Sequence, residues 1–412
     1  MDVDESGLPL GQVQQSRQEV QDLLLGHLAA SGARPLPVRR AYSVARTANG
    51  PRWFPIAVPY HQHARLQLAQ ELTRLDRGHV LDRGFASAPS LWLFLERYLY
   101  VSGELRADVL VFDRVWTEYE AYLSRTTVPY RLDAPLIGLT GDFDRLDLAS
   151  CVSVVPITDD WLAQRWEADT FLGPASLLQW TMCRYRLEVE LEAPRRGEDV
   201  FKDLLQIADQ AVRALRLSAS GSVGISETWC DPLVPVFGGR GPGGSAARGY
   251  DPVRSGMEWT DDPSLLRDLF AALSNKQLGQ AAELALRRFE GTYYAQSADD
   301  RLVDYWIALE ALFLPKQRSE LSHVGPLRIA LFLESTLESR KSLFATLRRS
   351  YDARSGIVHG SLAPKLEAAL PSLEITTEAV LRKALQKVVR AGHAPTPLEL
   401  EELELAGGTL AP

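Results

Sequence analysis

The chain has 412 residues, 46% hydrophobic and 24% charged, with a formal charge of −8. This is the balance of a globular protein long enough for two or three domains, and the negative sign excludes a general nucleic-acid coat, whose strength comes from neutralising phosphates. No apolar run approaches the ~20 residues that span a bilayer, and the acidic opening MDVDESGLPL lacks the apolar segment of a secretory signal, so a cytoplasmic location is expected.

Residues 1–255 mix helix and strand signals and read as an α+β region. Within it, His61-Gln62-His63 is the nearest approach to a metal pair. No third ligand lies nearby in sequence, so the two read as loop or edge-strand histidines and no metal or other cofactor is expected. Ala107 to Phe112 and Cys151 to Ile157 are β-rich runs. Tyr185 to Glu192 alternates apolar and charged residues without a break, which predicts a strand with one buried and one wet face. Phe201 to Leu217 changes to helical spacing, with Leu204, Leu205, Ala208, Ala211, Val212 and Leu215 recurring. Cys151, Cys183 and Cys230 are odd in number and widely spaced, and read as free thiols.

From Asp231 to about residue 262 the composition shifts, and FGGRGPGGSAARG is the most glycine-rich piece of the chain. It predicts a flexible linker, because no strand leads in and no helix follows at once, as a dinucleotide-binding turn would require. After it, residues 263–396 predict an all-α bundle. Asp262-Pro263 starts a helix running toward Phe289, and Ser297 to Asp300 starts one with the stripe Leu302, Trp306, Leu309 and Phe313. Further helices are expected at about Pro326 to Leu337, Ser339 to Arg349, the segment YDARSGIVHG, and a last one between Pro371 and Gly392. Residues 397–412 form an acidic tail expected to fray.

The segment YDARSGIVHG, Tyr351 to Gly360, carries an arginine, a hydroxyl and a histidine within six residues. Arg-x-x-x-x-His should occur about 0.65 times by chance with 38 arginines and 7 histidines, yet it occurs three times, as Arg74 to His79, Arg318 to His323 and Arg354 to His359. Context separates them. The first pair lies in a polar stretch and the second in the connection after Pro315; only Arg354 and His359 sit at a helix of the bundle. Between Arg301 and Arg390 the local charge is +5, with Arg340, Lys341, Arg348, Arg349 and Arg354 close together, so an acidic chain can still present a basic face.

Such residues suit cleavage of an RNA phosphodiester. A histidine can take a proton from the ribose 2′-OH or give one to the leaving 5′-oxygen, a guanidinium can hold the phosphate, and Ser355 can orient either group. No metal is needed because the nucleophile belongs to the substrate. The same residues also suit a plainer role, with His359 meeting the last carbonyls of a helix and Arg354 pairing with Asp352 or Glu310. On an ideal helix Arg354 and His359 lie about 140° apart, so one copy does not put them on one face. Gly356 is expected to loosen the segment between them. Glu310 is the one acid in the apolar run ALEAL and needs a partner, for which Arg354 is the candidate. Neither Arg354 nor His359 belongs to the apolar stripes, so the fold should barely notice the loss of either.

The run from Asp304 to Gly360, with YWIALEALF, LRIALFL and LRRSYDARSGIVHG, resembles the HEPN superfamily, most closely its Apea-like branch in prokaryotic defence proteins. Arg354, Ser355 and His359 match the family's Arg-polar-to-His pattern, Glu310 matches its acidic position on an earlier helix, and Tyr351 precedes the motif. The resemblance covers about the last third of the chain; upstream, ALRLSASGSVGISETW, Ala214 to Trp229, is similar to what precedes the bundle in many Apea-like proteins. It implies a metal-independent endoribonuclease acting on RNA as a homodimer through the C-terminal bundle, of the toxin or antiphage type. Residues 1–255 would then sense an unidentified trigger. The alternative that the family also holds is a noncatalytic nucleotide- or partner-binding dimerisation module.

Overall fold

A computed structural model describes residues 10–47, 50–85, 88–162, 182–194, 200–237, 243–245, 256–259, 262–275, 277–295, 297–315 and 320–405. Its first part runs α1 (Leu10–Ser31), β1 (Arg34–Pro35), β2 (Val38–Thr47), β3 (Gly50–Pro59), α2 (His61–Asp76), α3 (Val80–Gly84), α4 (Ala88–Ser102), β4 (Glu104–Leu105) and α5 (Val109–Leu123). The middle comprises β5 (Thr127–Ile137), β6 (Leu139–Gly141), β7 (Leu146–Ala149), β8 (Val152–Pro156), β9 (Tyr185–Pro194), α6 (Val200–Ser218), β10 (Gly224–Ile225), β11 (Thr228–Pro232), β12 (Gly243–Ser245) and β13 (Met257–Trp259). The last part is helical: α7 (Pro263–Asn275), α8 (Gln280–Gly291), α9 (Ala298–Phe313), α10 (Leu321–Leu333), α11 (Leu337–Val358), α12 (Pro364–Ala391) and α13 (Pro397–Leu405). No helix is long and apolar enough to cross a membrane among the described residues.

The N-terminal helices enclose an aromatic core of Phe85, Phe94, Phe112, Trp116, Tyr119 and Tyr122. Phe112, Val115, Trp116, Tyr119 and Tyr122 recur at helical spacing along α5. The run Ala107 to Phe112, expected as a strand, is therefore the start of a helix: Asp108 accepts from the amides of Leu110 and Val111 at 3.0 and 3.2 Å, an N-cap that outweighs local β preference.

Strands β12-β11-β5-β9-β8-β7 form one antiparallel sheet in that order, with β10 also on β5. The period of two in β5, β8 and β9 sorts Leu132, Ala134, Leu136, Val152, Val154, Leu187 and Val189 into the same core as Leu204, Ala208, Ala211 and Leu215 of α6. Intervening positions of β5 and β9 carry charge, as Arg131, Asp133, Arg186 and Glu188. Arg186 donates to Asp133, fully buried, at 3.1 Å and lies 4.9 Å from the Trp161 ring.

The stretch expected as a linker is partly built into this sheet. Thr228–Pro232 continues past Asp231 as β11, Gly243–Ser245 adds β12 to its edge, and Met257–Trp259 pairs parallel with β6. Phe237, fully buried, joins the aromatic core of the N-terminal helices. Glycine content signalled an irregular path, which is compatible with short strands and tight crossings: Gly221 has φ +107 and a Cβ there would lie 2.7 Å from Met257 Cα.

In the bundle several boundaries differ from the expectation. The first helix is two, α7 and α8, with Gly279 at the second N-cap. Helix α10 begins at Leu321 and carries Pro326 inside it, and α12 begins at Pro364, a proline in its first turn, with Pro371 inside. The two helices expected over Ser339–Arg349 and the motif are one continuous helix, α11. Gly392 ends α12 in the left-handed region at φ 87. Pro397–Leu405 of the tail is helical because Leu400 and Leu403 bury against the bundle; residues 406–412 lie outside the described residues.

One buried apolar cluster runs from the sheet through α6 into the bundle, joining Leu187 and Leu215 to Trp306 and Leu385. Polar contacts cross the same seam: Arg382 of α12 donates to the carbonyl of Arg216 at 3.0 Å, and Gln386 to that of Leu217 at 2.6 Å. The segment ALRLSASGSVGISETW is thus the strap between sheet and bundle, with the Arg216 guanidinium 4.1 Å from the Tyr293 ring and donating to Val223 O.

Candidate functional site

Helix α11 is held by its inner side. Leu347, Ser350, Tyr351 and Ala353 are buried along it. Trp306 of α9 donates to Ser350 Oγ at 2.9 Å, which lies 2.6 Å from Thr377 Oγ1 of α12, and the Trp306 and Tyr351 rings meet edge to face at 4.9 Å. Sequence reading identified Trp306 as core only; its indole N–H and the hydroxyls of Ser350 and Thr377 become legible once three helices converge.

The rotation that buries Tyr351 turns Arg354 toward α9. Its Nη2 lies 3.3 Å from both carboxylate oxygens of Glu310 and donates to Oε2, and its Cζ is 5.6 Å from the Tyr351 ring centroid. The side chains of Arg354 and Glu310 are 20% and 24% exposed, so the pair is only partly screened by solvent. Burial pushes the Glu310 carboxyl up from its ordinary value, while the Arg354 charge and the Tyr351 hydroxyl pull it back. Burial likewise pushes the Tyr351 phenol up, assisted by the negative charge of Glu310. The pairing is incomplete: Arg354 Nε and Glu310 Oε1 are buried and make no hydrogen bond. The unbonded Nε is shut off from solvent, so a further acceptor can meet this guanidinium only on the fifth of the side chain that stays exposed.

The other half of the motif sits at the helix end. His359 occupies the C-cap, its amide donating to Ser355 O at 3.0 Å, and Gly360 takes φ +65. Gly360 N–H donates to Ile357 O and Ser361 N–H to Gly356 O, at 3.2 and 2.8 Å, which is the paired bonding of a Schellman ending. Gly356 does not loosen the helix as expected. It admits the chain returning after the turn, since a Cβ there would stand 3.0 Å from Leu362 Cα. His359 is exposed and Ser355 half-buried.

Structure therefore brings Arg354, Glu310 and Tyr351 together and leaves His359 on another side of the helix. Helical periodicity puts Lys341, Arg348, Asp352, Ser355 and His359 along one outer line of α11, with Arg354 roughly opposite. Lys341 and Arg348 are exposed, giving that line a basic upstream part.

No family model, curated protein or solved structure matches the chain. What the site can do is argued from its own residues. Arg74 and His79, exposed, flank the left-handed turn of Arg77 and Gly78 after α2, and Arg318 lies outside the described residues while His323 meets Phe344 ring to ring at 5.3 Å. His61 and His63 are not in a loop or strand but open α2; burial lowers the His61 imidazole, and His63 stacks on Tyr60 at 5.7 Å. Among the described residues no three His, Cys, Asp or Glu side chains converge as a metal-binding group.

Proposed function

We propose that the C-terminal bundle is a HEPN-type, metal-independent endoribonuclease, with Arg354 and His359 as its phosphate-binding and proton-transferring groups. The observation that carries this reading is the half-satisfied guanidinium: Arg354 is held by Glu310 through one nitrogen, Nη2, while a fifth of its side chain stays exposed to a second acceptor. A phosphate is the acceptor that a planar guanidinium fits, through two parallel hydrogen bonds. In the reaction the 2′-oxygen forms a bond to phosphorus and the bond from phosphorus to the 5′-oxygen breaks. His359 takes the 2′-OH proton or supplies one to the 5′-oxygen, and Ser355 orients the group beside it. Glu310 and Tyr351 position Arg354.

Because Arg354 and His359 project from different sides of α11, the complete site requires two chains, each arginine reaching the partner's motif across a two-fold axis. Sedimentation at micromolar concentration is expected to give a dimer; a fully active 45.7 kDa species would rule out a composite site. The inward turn of Arg354 favours a second reading, a noncatalytic dimerisation module in which the pair with Glu310 is structural. RNA digestion in EDTA, comparing the unmodified chain with His359→Ala, separates the two: cleavage abolished by the substitution supports the enzyme, and no cleavage by either supports the module.

A further inference from the structure

Helix α11 carries five cations and two acids, Glu338 and Asp352, in a chain whose formal charge is −8. Arginines elsewhere in the bundle meet carboxylates, Arg301 with Glu374 at 2.9 Å and Arg328 with Glu404 at 2.7 Å among them. Lys341, Arg348 and Arg349 are exposed and form no ion pair among the described residues. One unpaired surface cation is ordinarily just solvated. Three within nine residues of one helix, on the segment that leads into His359, make a patch of one sign that suits an anionic partner.

A ring is set into that patch. Phe344 stands between Lys341 and Arg348 at the i, i+3, i+7 spacing that shares one side of a helix. Its predecessor Leu343 packs on the buried core. Phe344 is half-buried against polar neighbours instead: the exposed His323 of α10 meets it edge to face at 5.3 Å, and the Arg348 guanidinium carbon lies 5.9 Å from its centroid. Solvating a charged helix needs no aromatic ring among the charges, whereas an unpaired base needs a π-face beside cations. The line also has a direction. Lys341 and His359 are eighteen residues apart, five full turns, so they point the same way about 27 Å apart along the axis, with Arg348 about 17 Å from His359. Asp352 is the acid on this line, between Arg348 and Ser355, so phosphates are drawn to its upstream end.

We propose that the outer face of α11 upstream of His359 is the subsite for the substrate strand away from the scissile bond, an unpaired base stacking on Phe344 while Lys341 and Arg348 hold the phosphates on either side. The ligand is a single strand, because a paired base keeps its face inside the duplex. The assignment rests on the nuclease reading for its purpose, but it concerns affinity and is measured apart from cleavage. Phe344, Lys341 and Arg348 meet ring faces and phosphates and leave the ribose 2′-OH unread, so single-stranded DNA binds this face as RNA does and blocks cleavage without being cut.

The test is fluorescence anisotropy on the full chain carrying His359→Ala, with labelled single-stranded RNA, DNA of the same sequence and the matching duplex. Both single strands are expected to bind alike and more tightly than the duplex. Phe344→Leu, which keeps apolar volume and removes the ring, is expected to weaken binding about 10-fold, and Phe344→Tyr to retain it. Lys341→Gln plus Arg348→Gln is expected to reduce the slope of log affinity against log salt by about 1.4. Asp352→Asn is expected to tighten binding, a gain that loss of fold does not produce. Unchanged affinity and slope in the chain carrying Phe344→Leu, Lys341→Gln and Arg348→Gln together would overturn the proposal, as would a chain that binds no oligonucleotide, whether or not it binds phosphatidylserine vesicles. Cleavage measured in parallel with His359 intact separates the two readings. His359-dependent cleavage with KM unmoved by the three substitutions removes the subsite and leaves the nuclease; affinity that follows them without any cleavage removes the nuclease and leaves a strand-binding surface.

Discussion

Arg354 Nη2 stands equidistant, at 3.3 Å, from the two carboxylate oxygens of Glu310, forty-four residues earlier in the chain and one helix away. The geometry holds the guanidinium without using it up. It also places a carboxylate where burial disfavours its charge, and this has a measurable signature in stability.

Glu310 has its carboxyl raised by burial above the ordinary 4.5, so the folded chain binds that proton more tightly than the unfolded chain does. Its contribution is therefore greatest at low pH and declines as pH rises from about 4.5 through the folded value. Glu310→Gln is expected to flatten this decline. Urea unfolding at several pH values between about 4.5 and 7 checks it; an unchanged pH slope in the variant would show that the carboxylate is solvated.

His359→Ala and Arg354→Ala are each expected to lower RNA cleavage by at least two to three orders of magnitude. Their effects on stability should part company. His359 is exposed at a helix end, so its loss should be worth less than about 0.5 kcal/mol. Removing Arg354 leaves Glu310 half-buried without its partner, a cost of about 1–3 kcal/mol. The sequence alone suggested that the fold would barely notice either change; the contact with Glu310 changes that expectation for Arg354. Thermal unfolding of the two variants, compared with their cleavage rates, checks both parts.

Gly356→Ala would ordinarily stabilise a helix by up to about 1 kcal/mol. Here the added methyl would meet Leu362 Cα at 3.0 Å and Leu362 N at 3.3 Å, both backbone atoms that cannot swing aside. A net loss of about 1–3 kcal/mol is expected. Gly360→Ala is expected to cost about 1–2 kcal/mol for a different reason, the left-handed φ of +65. Denaturant titrations distinguish these from a tolerant surface turn, which would give changes near zero.

Cleavage products should carry a 2′,3′-cyclic phosphate or its opened form and a 5′-hydroxyl, and cleavage should persist in chelator. A 2′-deoxy substitution at the scissile nucleotide should abolish it. End-group analysis showing 5′-phosphates would place the chemistry away from His359.

Much of the fold was legible where one period dominated. The alternation of Tyr185 to Glu192 and the helical spacing of Phe201 to Leu217 each gave an element within a few residues of its ends. Legibility failed where a local signal competed with a tertiary one. Val109 to Phe112 is β-rich, yet Asp108 caps a helix there; Pro326 and Pro371 suggested helix starts and lie inside helices. At the site, the demand of an apolar run for a partner to Glu310 was enough to nominate Arg354. The role of Gly356 was not legible, because Leu362 reaches it only after the chain has turned back through Gly360.

The strap from Arg216 to Leu217 is fastened by Arg382 and Gln386, which are synthesised 166 and 169 residues later. A ribosome that has delivered every strand of the sheet has not yet delivered the helix that closes its core, so the nascent chain must wait nearly to its end before that half can lock. A product released before α12 is complete would lack the closing helix and expose Leu215 and its neighbours. Premature termination downstream of His359, with the motif already translated, should therefore yield a target for proteolysis and no stable, active fragment.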